Sequence, residues 1–228
     1  SVKIAAVHSS DPLDTYLKLD KGKLEVSSSD NFHIAFHQNK IDSDSSFQLS
    51  ASKTSFDILA KLSNLYKGNT ELSFSDDSIK AQNKEYVISM PTIQSSDSAF
   101  VRSKQFLDGL PKTKTSFNFK ISDLLATLTN VMSVYEQGAL VLLTKKKGDK
   151  VEMTINTSIG TISDQIEVED SKGDTFKDTF DPRMLLDILN VATKEGKAFF
   201  GYIEDKALLI RTDKLKAKTT YVCTVIKK

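Results

Sequence analysis

Apolar and polar residues alternate through TYLKLDKGKLEVSSSD, where Tyr16, Leu17, Leu19, Leu24 and Val26 flank a turn that contains Gly22. This spacing predicts a β-hairpin. ALVLLTKKKGDKVEMTIN, at 139–156, has the same form and predicts a second hairpin. A further strand is expected after each, in NFHIAFHQ at 31–38 and GTISDQIEV at 160–168. The period then changes. Phe56, Leu59, Leu62 and Leu65, and later Leu185, Ile188, Leu189 and Ala192, keep helical spacing. Ser52 and Asp181 suit the caps of these helices, Pro182 suits a first turn, and Gly68 and Gly196 suit their stops. Short strands close each half: TELSFSDDSIKA with EYVISMP, and AFFGYIEDKALLIRT with TYVCTVIK. FNFKISDLLATLTNVMSVY, at 117–135, predicts a strand running into one more helix.

The two halves therefore read as one topology written twice. Leu24 and Val151 match at an offset of 127, Asp57 and Asp187 at 130, and Tyr86 and Tyr221 at 135. A slow drift of this kind is what small loop insertions produce. The strand and helix at 117–135 have little counterpart in the first half, where SVKIAAVHSS takes the place of the helix end. The chain is thus expected to begin inside its first domain. The expected boundaries are a domain at 1–92, a connector at 93–116 and a domain at 117–228. The connector lacks a period and carries Ser, Asp, Gly and Pro. Its Phe100, Val101, Phe106 and Leu107 are expected to cover a groove or meet a partner.

Composition narrows the class. Apolar residues are 39% and charged residues 27% of 228, as in globular proteins, and no apolar run is long enough to span a membrane. The single cysteine, Cys223, excludes an internal disulfide and fits a reducing compartment. A formal charge of +1 gives no whole-molecule field for nucleic acid, so a DNA partner would need basic residues gathered on one surface.

Candidate chemistry is sparse. No phosphate loop, dinucleotide fingerprint, zincin motif or C-x-x-C pair occurs. His33 and His37, four apart on a strand, stand roughly 13 Å from one another, too far to share one zinc. They read as surface or interface side chains. Cys223 lies in an apolar strand and reads as a buried, inert thiol, and Asp76 and Asp77 read as solvated turn residues. No catalytic or metal constellation emerges and no cofactor is expected.

The segment from Phe180 to Lys228, with its LLDILN helix, strand pair and closing Tyr221-Val222 strand, resembles the last domain of a DNA sliding clamp. Bacterial polymerase III β subunits have this order, and proliferating cell nuclear antigen has a related one. SSDNFHIAF, at 28–36, is similar to the clamp strand that opens with a small residue and an acid, although Asn31 and Phe32 depart from it. Pro91 matches the family's proline, whereas Val225 takes that place in the second half.

The resemblance implies an α+β DNA-clamp fold: two similar domains of antiparallel β-sheets packed on helices, assembling into a ring. It implies a non-enzymatic processivity factor, of a cellular or viral replication system, that encircles double-stranded DNA without reading its sequence. The implied partners are a DNA polymerase, a clamp loader and further copies of the chain, in a trimer, or a dimer if a third domain is missing. No membrane is implied. The compartment would be cytoplasmic, or nuclear in a eukaryote. The alternative is a clamp-like replication or transcription accessory protein that closes no ring. Helices lining the hole would offer Lys53, Lys61, Lys67, Arg183, Lys194 and Lys197 to phosphate, although a solvated helix face explains these residues equally well. Lys145, Lys146 and Lys147 fit either a solvated hairpin tip or a phosphate contact. A partner-peptide groove would take Phe100 and Val101 from the connector and Val222, Thr224 and Val225 from the closing strand. Val222 fits a groove floor or the core.

Overall fold

The computed structural model describes residues 15–29, 33–66, 68–93, 104–191, 196–204, 206–214, 217–224 and 226. The chain divides into two compact units, Ser1–Gly109 and Leu110–Lys228. The division falls inside the stretch read as a connector, whose described part includes a short helical turn at 104–108.

In unit 1, β1 (Thr15–Asp20) and β2 (Lys23–Ser29) form a hairpin with Asp20 opposite Lys23. Its two turn residues, Lys21 and Gly22, have φ of 45° and 79°, the left-handed pair that matches strand twist. A side chain at Gly22 would meet the Ile41 carbonyl at 2.9 Å. β3 (His33–Lys40) pairs with β2, and β4 (Phe47–Ala51) with β1, giving the order β3-β2-β1-β4. Helix α1 (Lys53–Leu65) follows, and the Ser55 amide donates to the hydroxyl of the cap, Ser52, at 3.2 Å. The helix ends at Leu65, ahead of Gly68. A three-stranded sheet, β5 (Glu71–Phe74), β6 (Ser78–Gln82) and β7 (Val87–Pro91), completes the unit. Phe56 of α1 packs with Ala51, Ile79 and Met90 in the core.

Unit 2 opens with β8 (Thr115–Lys120), α2 (Ile121–Val131) and a short 3-10 turn, Met132–Val134. β9 (Val141–Lys145), β10 (Lys150–Thr157), β11 (Gly160–Glu167) and β13 (Phe176–Phe180) form a sheet ordered β11-β10-β9-β13. β12 (Glu169–Gly173) intervenes in sequence and pairs with β8 instead. Helix α3 (Pro182–Val191) precedes β14 (Lys197–Ile203), β15 (Ala207–Lys214) and β16 (Ala217–Thr224), which extend the order β12-β8-β14-β15-β16. α2 packs beside α3 and over β10 and β11.

The halves repeat one plan. β3-β2-β1-β4 corresponds to β11-β10-β9-β13, α1 to α3, and β5-β6-β7 to β14-β15-β16. Strand pairing makes the match residue by residue: Leu19 opposes both Leu24 and Phe47, and Lys145 opposes both Val151 and Phe176. Leu24 and Val151 are thus equivalent, as their spacing predicts.

The tyrosines are not equivalent. Tyr86 precedes β7, whereas Tyr221 lies inside β16, buried opposite Ile210. Laying one over the other would place Ile79, the partner of Met90, over Lys206, in the turn ahead of β15. Tyr86 instead hydrogen-bonds Thr70 at 2.9 Å and packs against Tyr66.

Candidate nucleic-acid and partner interfaces

Basic residues predicted to meet DNA lie on or beside the helices, in differing states. Lys53 is half-buried at the start of α1, and Lys61 is exposed on the same helix. Arg183 is exposed in the first turn of α3 and bonded to its cap: the guanidinium reaches Asp181 Oδ2 at 3.1 Å and lies 5.7 Å from the centre of the Tyr135 ring. The bond to Asp181 holds the Arg183 pKa above its usual value. Lys197, the first residue of β14, pairs with Glu169 of β12, which raises the lysine's pKa. Lys67 and Lys194 lie outside the described residues.

The outer surfaces of α2 and α3 are polar but not basic. Their exposed positions are Ser122, Asp123, Ala126, Thr129 and Asn130, with Arg183, Asp187 and Asn190. One cation among three charged groups leaves this described surface net negative. On α1, Lys53 and Lys61 outweigh Asp57 by one charge.

The lysine run at the β9–β10 turn separates into three settings. Lys145 ends β9 and is buried, its ammonium donating to the Lys146 carbonyl at 2.8 Å and to the Gly148 carbonyl. Lys146 lies 3.4 Å from Glu152. Lys147 alone of the three stands at the exposed tip without an ion pair among the described residues, so the run does not act as one cationic patch.

Of the expected partner groove, Phe100, Val101 and Val225 lie outside the described residues. Thr224 is half-buried at the end of β16. Val222 is 1% exposed and sits opposite Leu209, which is also buried. In this state Val222 is a packed residue, and a peptide could rest on it only once it was uncovered. The neighbouring Cys223 is buried, as its apolar surroundings predict. His37, read as a surface or interface side chain, is instead interior: it is 2% exposed, and burial pushes its pKa down to about 4.

Sequence spacing gave no sign of an apolar opening in unit 1. A cavity of about 670 Å³ lies among α1, β1, β4, β5 and β6. Its lining residues include Leu17, Phe47, Phe56, Leu72 and Phe74, and none of its described lining residues is charged. Of those named, all but Phe47, on β4, belong to elements whose apolar residues were legible in the sequence. What could not be read was that the faces leave space between them.

The architecture is that of a DNA polymerase sliding clamp. The whole chain superposes on the DNA polymerase sliding clamp of Bacillus subtilis with a TM-score of 0.83 and 15% identity, covering 62% of that protein. It matches the DNA polymerase III beta chain of Streptococcus pneumoniae (TM-score 0.82, 15% identity, 100% of this chain and 62% of that one). The Thermotoga maritima DNA polymerase III beta subunit gives a TM-score of 0.82 at 14% identity, with 100% and 63% coverage. The chain thus spans less than two thirds of the length of these proteins. No protein-family profile and no curated protein sequence matches it. No helix among the described residues is long and apolar enough to cross a membrane.

Proposed function

We propose that this chain is a sliding clamp: a non-enzymatic processivity factor whose copies close around duplex DNA and tether a DNA polymerase. The observation that carries this reading is the repeated two-sheet-and-helix plan, which superposes over the full chain on clamps of known structure. A closed ring holds DNA by topology, so it needs no base contacts, and contacts to phosphate alone permit sliding. The partners on this reading are double-stranded DNA, the polymerase, a clamp loader and further copies of the chain. A ring of six domains takes three two-domain copies, or two copies if the natural chain carries a third domain. The compartment is that of the replication machinery, cytoplasmic in a bacterium or in an infected cell. The cations offered to DNA are Lys53, Lys61, Lys67, Arg183, Lys194 and Lys197. The peptide groove is formed by Phe100, Val101, Val222, Thr224 and Val225.

A second reading draws on the net-negative described surface of α2 and α3. A clamp-like accessory protein that closes no ring would need no basic lining. Light scattering distinguishes the two. A trimer gives three times the chain mass of 25.3 kDa, whereas the second reading predicts a monomer or an open dimer.

A further inference from the structure

The two residues ahead of β8 are gripped from several sides. The Lys114 amide donates to the Tyr202 carbonyl of β14 at 3.0 Å, and its ammonium pairs with Glu204. Its carbonyl passes so close to Gly173 of β12 that no Cβ would fit there. One residue later, the Thr115 hydroxyl donates to the Asp174 carbonyl at 2.6 Å. One residue earlier, the Thr113 side chain lies over Gly201 of β14. A Cβ at Gly201 would drive into Thr113 Cγ2 and stand 3.3 Å from its Cβ. The Phe199 ring, 3.0 Å from the same point, belongs to a side chain that can turn aside.

Gly201 is a glycine that backbone conformation does not demand. It has no positive φ and sits inside β14, opposite Ser116 on one side and Leu209 on the other. A glycine inside a strand gives up packing and chain entropy, and it is expected where another group must approach closely. Here that group is the Thr113 side chain. Upstream the restraints end: among the described residues the backbone of Leu110–Lys112 makes no hydrogen bond, and Pro111 and Lys112 are exposed.

We infer that Thr113 and Gly201 are a knob and notch that latch the connector to unit 2. Motion of the connector stops at Thr113, and the β8–β14 ladder behind it is shielded from fraying. Leu110–Lys112 move independently of the unit 2 sheet. The latch works by shape, so its two halves are interchangeable: a methyl group supplied from β14 fills the notch as well as one supplied from the connector.

The test is residue-resolved amide hydrogen exchange on the whole chain, with a double-mutant cycle at the two positions. The Lys114 amide should be protected and the Lys112 amide should exchange at close to the free rate. Gly201→Ala, which displaces the knob, and Thr113→Ala, which removes it, should each speed exchange at Lys114 about tenfold, the effect of weakening one backbone hydrogen bond. The double variant should return toward the original rate, and β10 amides should keep their protection throughout. Should Gly201→Ala alone fail to fold, circular dichroism should show that adding Thr113→Ala recovers the folded chain. Equal protection at Lys112 and Lys114 would overturn the inference, as would additive effects in the cycle or a failed recovery. A silent Thr113→Ala would overturn it equally, because Gly201 would then provide clearance and no latch.

Discussion

Phe176 stacks on Tyr202 with ring centroids 4.3 Å apart and planes 14° from parallel. Phe47 and Phe74 repeat the pair in the other unit at 4.2 Å. The same contact in two settings separates stacking from burial. Phe176 is buried under Phe117, whereas Phe74 borders solvent. Phe176→Ala should therefore cost about 3–5 kcal/mol, the range for a buried phenylalanine, and Phe74→Ala about 1–2 kcal/mol. Urea unfolding of the two variants measures this. Equal losses would show that the two clusters are packed alike.

Two glycines share a backbone angle but differ in surroundings. Gly173 has φ of 86° and Gly138 of 85°. A Cβ at Gly173 would stand 1.9 Å from the Lys114 carbonyl, across the β12–β8 pair, whereas one at Gly138 meets nothing within 4 Å. Gly138→Ala should cost about 1–2 kcal/mol of left-handed strain. Gly173→Ala should cost at least about 2 kcal/mol more, because β12 must separate from β8. The difference in unfolding free energy reads the clash alone.

His37 links stability to pH. Its folded pKa of about 4 lies below the ordinary 6.5, so the unfolded chain binds the proton more readily. Stability from this group is full above pH 6.5 and falls as the pH drops toward 4, by up to about 3 kcal/mol. Melting curves across that window should show the fall, and His37→Gln should flatten it. An unchanged slope in the variant would assign the pH dependence to other groups.

On the DNA side, exchange of Lys53, Lys61 and Lys67 for Glu should weaken DNA binding and clamp-dependent synthesis without unfolding the protein. Each phosphate contact adds about 0.9 to the slope of log K against log salt. Arg183→Ala and Lys197→Ala should lower that slope less than the loss of an unpaired cation would, because Asp181 and Glu169 already balance their charges. A full unit lost on either substitution would mean that the ion pair opens on DNA.

The hairpins β1–β2 and β9–β10 and the helices α1 and α3 were legible, because each repeats an apolar period over at least two turns or two strands. β12 was not, since EDSKG offers no apolar residue and is a strand only because β8 pairs with it. β4 and β13 passed unread beside the helices they precede. Tyr86 and Tyr221 misled in detail: similar local sequences sit at different heights in the two hairpins. The candidate DNA surface was the least legible part. Whether a lysine is compensated depends on acids distant in sequence, and Glu169 lies 28 residues before Lys197.

Topological retention tests the clamp account most directly. The chain, assembled at high concentration on a gapped circular plasmid, is passed through a sizing column before and after a single cut of the DNA. A clamp elutes with the circle and is released once the circle is linear, because it slides off the ends. Equal retention on both forms would mean ordinary binding to the duplex and would contradict the encircling ring, as would its absence from the circle.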